Sequence, residues 1–136
     1  MSVEIDALIP HRAPMQWIEA LVECTESTAR ATARFNADHF ATAEGSVLET
    51  ALVECVAQTV AAALGHRSQT RGQPGITRGG MLAAVSDFRV HSRPQLGKTL
   101  QIEIHERKRF GPMLLVSGVV SCDGQAIASG DLTLYA

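Results

Sequence analysis

The residue best suited to chemistry is a carboxylate within an apolar run. Glu54 is the one polar residue of the run 51–57, and Gln58 follows four positions later. An apolar site penalises an unpaired charge and favours the neutral acid, which can donate a proton. Residues four apart share a helix face, so the Gln58 amide could orient the carboxyl. Alternatively, Glu54 emerges at a helix edge and pairs with an arginine.

A histidine supplies a possible base. His39, in the segment 36–40, lies just before the predicted helix that carries Glu54. Neutral imidazole takes up a proton near pH 7 while a neutral carboxyl gives one, so the two types complement each other in acid-base catalysis. A solvated loop histidine is the alternative interpretation. We assign no role to the remaining histidines, which are His11, His66, His91 and His105.

Other catalytic chemistries lack their motifs. Ser46 has no Gly-x-Ser-x-Gly setting, and the glycine pair Gly79-Gly80 makes no phosphate loop. The three cysteines lie far apart without metal-type spacing, which fits reduced thiols. The sequence therefore predicts neither a metal site nor a bound cofactor.

One long helix must position Glu54. Ser46 and Glu49 have the spacing of a capping box, the body 47–64 is apolar on nearly every face, and Gly65 resembles a C-terminal cap. We expect a helix of roughly 27 Å that is buried almost all round and matches strands of about eight or nine residues.

Strand patterns surround this helix. The segment 5–15 predicts a helical turn and an extended lead-in, 17–35 a β-hairpin, and 66–80 a loop. An antiparallel meander follows, and Asp123-Gly124 is a strong hairpin signal. The predicted strands of the meander are 81–91, 99–110, 113–122 and 125–135. One helix against such a sheet predicts a single α+β domain, 1–136, in which the coiled sheet wraps the helix as a hotdog fold.

Composition limits the partners. A net charge of −2 over 136 residues argues against nucleic acid binding, and no apolar run is long enough to cross a membrane. The N-terminus lacks the pattern of a signal peptide, so we expect a cytoplasmic protein. Exposed sheet edges favour a homodimer or a higher homo-oligomer.

Three segments resemble one enzyme family in matching order. The segments 8–15, 38–40 and 52–58 are similar to motifs of the β-hydroxyacyl-acyl-carrier-protein dehydratases, with Glu54, Ala57 and Gln58 in place of the Glu-x-x-Ala-Gln signature. The run 54–62 also resembles the dehydratase-like proteins of aryl polyene pathways.

The resemblance implies a dimeric hydro-lyase acting on thioesters of acyl carrier protein or coenzyme A, in fatty-acid or polyene-type biosynthesis. His39 of one subunit would abstract the C2 proton of a 3-hydroxyacyl group, and Glu54 of the other would protonate the departing hydroxyl. Gln58 would orient the acid, and the backbone amides of Gly45, Ser46 and Val47 would polarise the thioester carbonyl. The substrate would arrive on a phosphopantetheine arm, with basic side chains guiding an acidic carrier. The available residues are Arg89, Arg93, Lys98, Arg107, Lys108 and Arg109.

Two other functions stay open. The family usually has Gly before its histidine and Pro two residues after it, where this chain has Asp38 and Ala41. This departure favours a non-catalytic subunit that binds acyl chains or pairs with an active dehydratase. An acyl-thioester hydrolase is the third possibility, since hotdog proteins also cleave thioesters with a helix carboxylate.

Overall fold

A computed structural model describes residues 3–9, 15–36, 39, 42–43, 46–72 and 81–135. Within them lie a 3-10 turn, one α-helix and nine strands. The bounds are β1 Val3–Glu4, the turn Ile5–Ala7, β2 Ile18–Cys24, β3 Thr28–Ala33, β4 Thr42–Ala43, β5 Ser46–Val47, α1 Glu49–Thr70, β6 Met81–Val90, β7 Leu100–Phe110, β8 Met113–Cys122 and β9 Gln125–Tyr135.

The long strands form one antiparallel sheet around α1. Its order is β1-β2-β3-β7-β8-β9-β6, and every neighbouring pair is antiparallel. The predicted α+β hotdog architecture is confirmed, as are the hairpin over 17–35 and the four strands after residue 80. The prediction of a meander over all four later strands is wrong. The strand β6 pairs with β9 at the sheet edge, and β3 occupies the place beside β7.

The start of α1 differs from the prediction. The helix begins at Glu49, its N-cap is Leu48, and no side chain caps it. Ser46 and Val47 instead form β5 and pair with β4, so the predicted capping box is wrong. Extended pairing keeps the backbone of Ser46 out of the helical turn that a capping box needs.

The end of α1 also differs. The helix continues through Gly65 to Thr70, so the predicted cap at Gly65 and a loop from His66 are wrong. A Cβ on Gly65 would lie 2.3 Å from the Leu8 carbonyl oxygen, so glycine serves the close approach of the lead-in segment. The rest of the predicted loop, from residue 73, lies outside the described residues.

The core lies between α1 and the inner face of the sheet. Alternate residues of β7 point to the helix and are buried, as Leu100, Ile102 and Ile104 show. The middle of α1 is buried on most of its surface, including three successive alanines at 61–63. Burial on nearly all sides explains the lack of a polar stripe in its sequence. No helix among the described residues has the length and hydropathy needed to span a membrane.

Candidate active site

Gln58 is the centre of a buried hydrogen-bond network. Its side chain is 1% exposed. The amide oxygen accepts hydrogen bonds from the backbone N–H of Trp17 at 2.8 Å and from the backbone N–H of Ile18 at 3.4 Å. The amide nitrogen donates to the Met15 carbonyl at 2.7 Å and to Glu54 Oε1 at 3.2 Å. One helical glutamine therefore holds the start of β2 and the candidate acid together.

The network fixes the orientation of the amide. Backbone N–H groups only donate and backbone carbonyls only accept, so exchanging Oε1 and Nε2 of Gln58 would set donor against donor. The nitrogen must consequently face Glu54, whose Oε1 acts as acceptor.

Glu54 itself is half-buried in the single chain. Its predicted contact with Gln58 one turn on is present, whereas its role as a general acid stays a prediction. The carboxylate at the start of the helix behaves differently, because Glu49 is 55% exposed and pairs with Arg93 at 3.5 Å. This ion pair replaces the capping role that the sequence predicts for Glu49.

His39 lies in an aromatic cluster. Its ring is edge-on to Phe35, with centroids 4.8 Å apart, and to Trp17 at 5.6 Å. The His39 carbonyl accepts from the N–H and the hydroxyl of Thr42, at 3.0 and 2.6 Å. His39 is therefore a half-buried residue that packs against two aromatic rings.

The predicted amide donors are placed differently. Ser46 and Val47 belong to β5, and Val47 is 1% exposed, so neither lies in the first turn of α1. Gly45 lies outside the described residues. Their role toward a thioester carbonyl stays a prediction, although the helix start on which it depended has moved to Glu49.

Four of the six basic side chains have separate partners. Lys98 pairs with Asp123, Arg107 donates to Ser117, and Lys108 lies over the Phe110 ring. Arg93 is tied to the start of α1, through Glu49.

The other end of α1 carries a separate polar cluster. A pocket of about 410 Å³ there is lined by Cys24, Thr25, His66 and Arg67, among others. Burial raises the pKa of the Cys24 thiol, which opposes nucleophilic chemistry. No group of three or more His, Cys, Asp or Glu side chains in the described ranges could hold a metal ion.

Comparison with known proteins decides the family. The family model of ApeP dehydratases matches residues 3–136. The chain belongs to the ApeP-like dehydratase family. No curated protein sequence matches it at a significant level.

Solved structures share the ApeP-like fold. The dehydratase heterocomplex ApeI:P from Xenorhabdus doucetiae matches with a TM-score of 0.88 at 21% identity, over 98% of this chain and 90% of that one. The PaaI protein of E. coli matches at 0.68 and 12%, over 85% and 81%. A hypothetical thioesterase with coenzyme A from Streptococcus pneumoniae matches at 0.65 and 9%, over 85% and 82%. At such identities the likeness establishes the fold alone.

Sequence reasoning missed Trp17 as a site residue. It precedes β2, contacts His39 through its ring and donates its N–H to Gln58. Its ring also lies edge-on to Phe35, with centroids 6.0 Å apart. The available signal was that the single tryptophan of the chain closely follows the family-like segment 8–15, which contains Pro10-His-Arg-Ala-Pro14.

Proposed function

We propose that the protein is a subunit of a 3-hydroxyacyl-thioester dehydratase that releases water to give a trans-2-enoyl thioester. The observation that supports this most directly is the hydrogen bond from the Gln58 side-chain amide to the Glu54 carboxyl. This amide is buried, and its other hydrogen bonds fix its orientation. A carboxyl whose orientation is held by a neighbouring amide can be aimed at a leaving group, as a general acid requires.

In this mechanism His39 removes a proton from C2 of the substrate, and the electron pair forms the C2–C3 double bond. The C3–O bond breaks as Glu54 delivers its proton to the departing hydroxyl, so water leaves. His39 is then protonated and Glu54 ionised, and proton transfer restores both. No cofactor takes part, since the thioester itself acidifies the C2 proton.

Pairing with a second hotdog subunit would complete the site. The described sheet ends in β6 on one side and in the two-residue β1 on the other. Long edge strands are places where another chain adds to a sheet, and Val85 on β6 is 45% exposed. The structural neighbour from Xenorhabdus doucetiae is a heterocomplex, which supports a related dehydratase as partner beside the homodimer.

The test is hydration of crotonyl thioester, followed as loss of enoyl absorbance. We expect Glu54→Gln and His39→Ala each to reduce turnover by about 10²- to 10⁴-fold. Glu49→Gln is the matched control, because Glu49 is an exposed carboxylate on the same helix. Equal turnover by wild type and Glu54→Gln would exclude the proposed role.

The non-catalytic subunit is the second candidate, favoured by the heterocomplex neighbour and by Asp38 and Ala41 around His39. Here the purified chain is inactive and turnover appears on mixing with a related dehydratase. Substituting His39 in this chain alone then separates the cases, because a supporting subunit tolerates His39→Ala. Release of free thiol from acyl-coenzyme A, without enoyl chemistry, would identify a hydrolase instead.

A further inference from the structure

Trp17, Phe35 and His39 form a cluster of three mutually contacting rings. They are brought together by the β2–β3 hairpin, because Ile18 pairs with Ala33, so the residue before β2 and the segment after β3 share one end. All three rings meet edge-on, with interplanar angles of 76°, 76° and 85°. Such edge-to-face pairs are a preferred aromatic arrangement and restrict ring rotation.

The backbone of His39 is held as well. Its N–H donates to the Asn36 carbonyl at 3.0 Å, and its carbonyl accepts from both groups of Thr42. With main chain and ring both fixed, the imidazole has few other orientations. A base held in this way needs little reorganisation before it takes a proton.

Trp17 also connects to the acid. Its N–H donates to Gln58 Oε1, and the nitrogen of the same amide donates to Glu54 Oε1. We propose that Trp17 is a positioning residue, whose indole orients His39 and whose backbone N–H orients Gln58 and, through it, Glu54. This inference rests on the proposed function, since it assigns Trp17 a part in that reaction.

Side-chain variants separate the two contacts of Trp17, because every substitution except proline keeps the N–H. We expect Trp17→Ala to lower kcat by about 10²-fold, as a misplacement near 1 Å does, with KM little changed. Trp17→Phe should recover much of kcat by restoring an aromatic edge. A merely structural role would reduce the folded fraction without changing kcat per folded site, and equal kcat in Trp17→Ala and wild type would overturn the inference.

The indole contact can be tested without any turnover. The chain has one tryptophan, so its emission reports on Trp17 alone. A protonated imidazole accepts an electron from an excited indole and quenches it, so wild-type fluorescence should fall as the pH drops through the range of histidine titration, about pH 8 to 5. We expect this titration to disappear in His39→Gln and to persist in Glu54→Gln and His66→Gln. If the pH dependence of the fluorescence were unchanged in His39→Gln, the contact between Trp17 and His39 would be overturned. If that pH dependence disappeared in His39→Gln but the wild-type protein showed no turnover, only the proposed function would be contradicted.

Discussion

The middle of α1 and its last turn each hold a largely buried polar side chain, in contrasting ways. Gln58 is neutral, and both its oxygen and its nitrogen make two hydrogen bonds. Arg67 in the last turn is charged and 11% exposed, and it pairs with Glu106 at 2.6 Å. It also donates to the Thr25 carbonyl at 2.8 Å. Its Nη2 is buried and has no acceptor among the described residues.

The contrast shows which network specifies a geometry. Burying a neutral amide costs little free energy once each of its donors and acceptors is hydrogen-bonded. A network in which every group is bonded also permits only one arrangement of the side chain. A buried ion pair carries a desolvation penalty that its attraction offsets only in part, and an unused donor adds to that penalty. We infer that the Gln58 network depends on the hydrogen-bonding groups of that side chain, whereas apolar side chains of similar shape can replace Arg67 and Glu106.

The largest effect is expected at Gln58. Gln58→Leu keeps the volume but leaves the Met15 carbonyl and the Trp17 N–H without their partner. Buried unsatisfied groups cost about 1 to 3 kcal/mol each, so we expect urea unfolding to show a loss of about 2 to 4 kcal/mol. The control is Gln69→Leu, an exposed glutamine of the same helix with one bond to the Ala7 carbonyl. Equal losses from the two variants would contradict the contrast.

The Arg67–Glu106 pair should show a different pattern. Arg67→Met leaves Glu106 mostly buried without its cation, and we expect a loss of about 1 to 3 kcal/mol in the free energy of unfolding. The double variant Arg67→Met with Glu106→Leu should return to within about 1 kcal/mol of wild type. Lys98→Met is the control, because Lys98 and Asp123 are also 2.6 Å apart but 45% and 69% exposed. Its loss should stay below about 1 kcal/mol. A double variant as unstable as the sum of its singles would refute this interpretation.

Local patterns made much of the fold predictable. The Asp123-Gly124 turn forms as expected, with φ of 52° and 79°, because only these two residues set its geometry. The Gln58–Glu54 contact likewise follows from their four-residue spacing in one helix. The course of the helix through Gly65 depends instead on Leu8, 57 positions earlier, as the close carbonyl approach shows. The partners of Gln58 at Met15 and Trp17 are also distant in sequence, so the pattern around Glu54 could not reveal them.

A smaller effect is expected at Gly65. Alanine favours helices over glycine by about 1 kcal/mol, so helix propensity predicts that Gly65→Ala stabilises the protein. The new Cβ would lie 2.3 Å from a backbone oxygen of Leu8, which no side-chain rotation can relieve. Overpacking of this kind costs about 1 to 3 kcal/mol, so we expect a net loss of about 1 kcal/mol. Thr70→Ala, at an exposed position of the same helix, should be neutral or slightly stabilising. A higher midpoint of urea unfolding for Gly65→Ala than for wild type would contradict this expectation. It would show that the backbone at Leu8 moves away to accommodate the added methyl group.

An effect confined to alkaline pH is expected at Cys55, one turn before Thr59 on the buried side of α1. Complete burial raises the pKa of this thiol, and the neighbouring Glu54 adds to the shift. Above the ordinary thiol pKa of about 8.5 the unfolded chain releases a proton that the folded chain keeps, so stability falls as the pH rises. For one such proton the slope approaches about −1.4 kcal/mol per pH unit. Cys55→Ala should flatten the decline measured between about pH 8.5 and 10 by up to this amount. Cys24→Ala should flatten it less, because the Arg67 guanidinium opposes the effect of burial on Cys24. Parallel wild-type and Cys55→Ala curves would mean that the helix admits a thiolate beside Glu54, against the apolar surroundings on which the proposed acid depends.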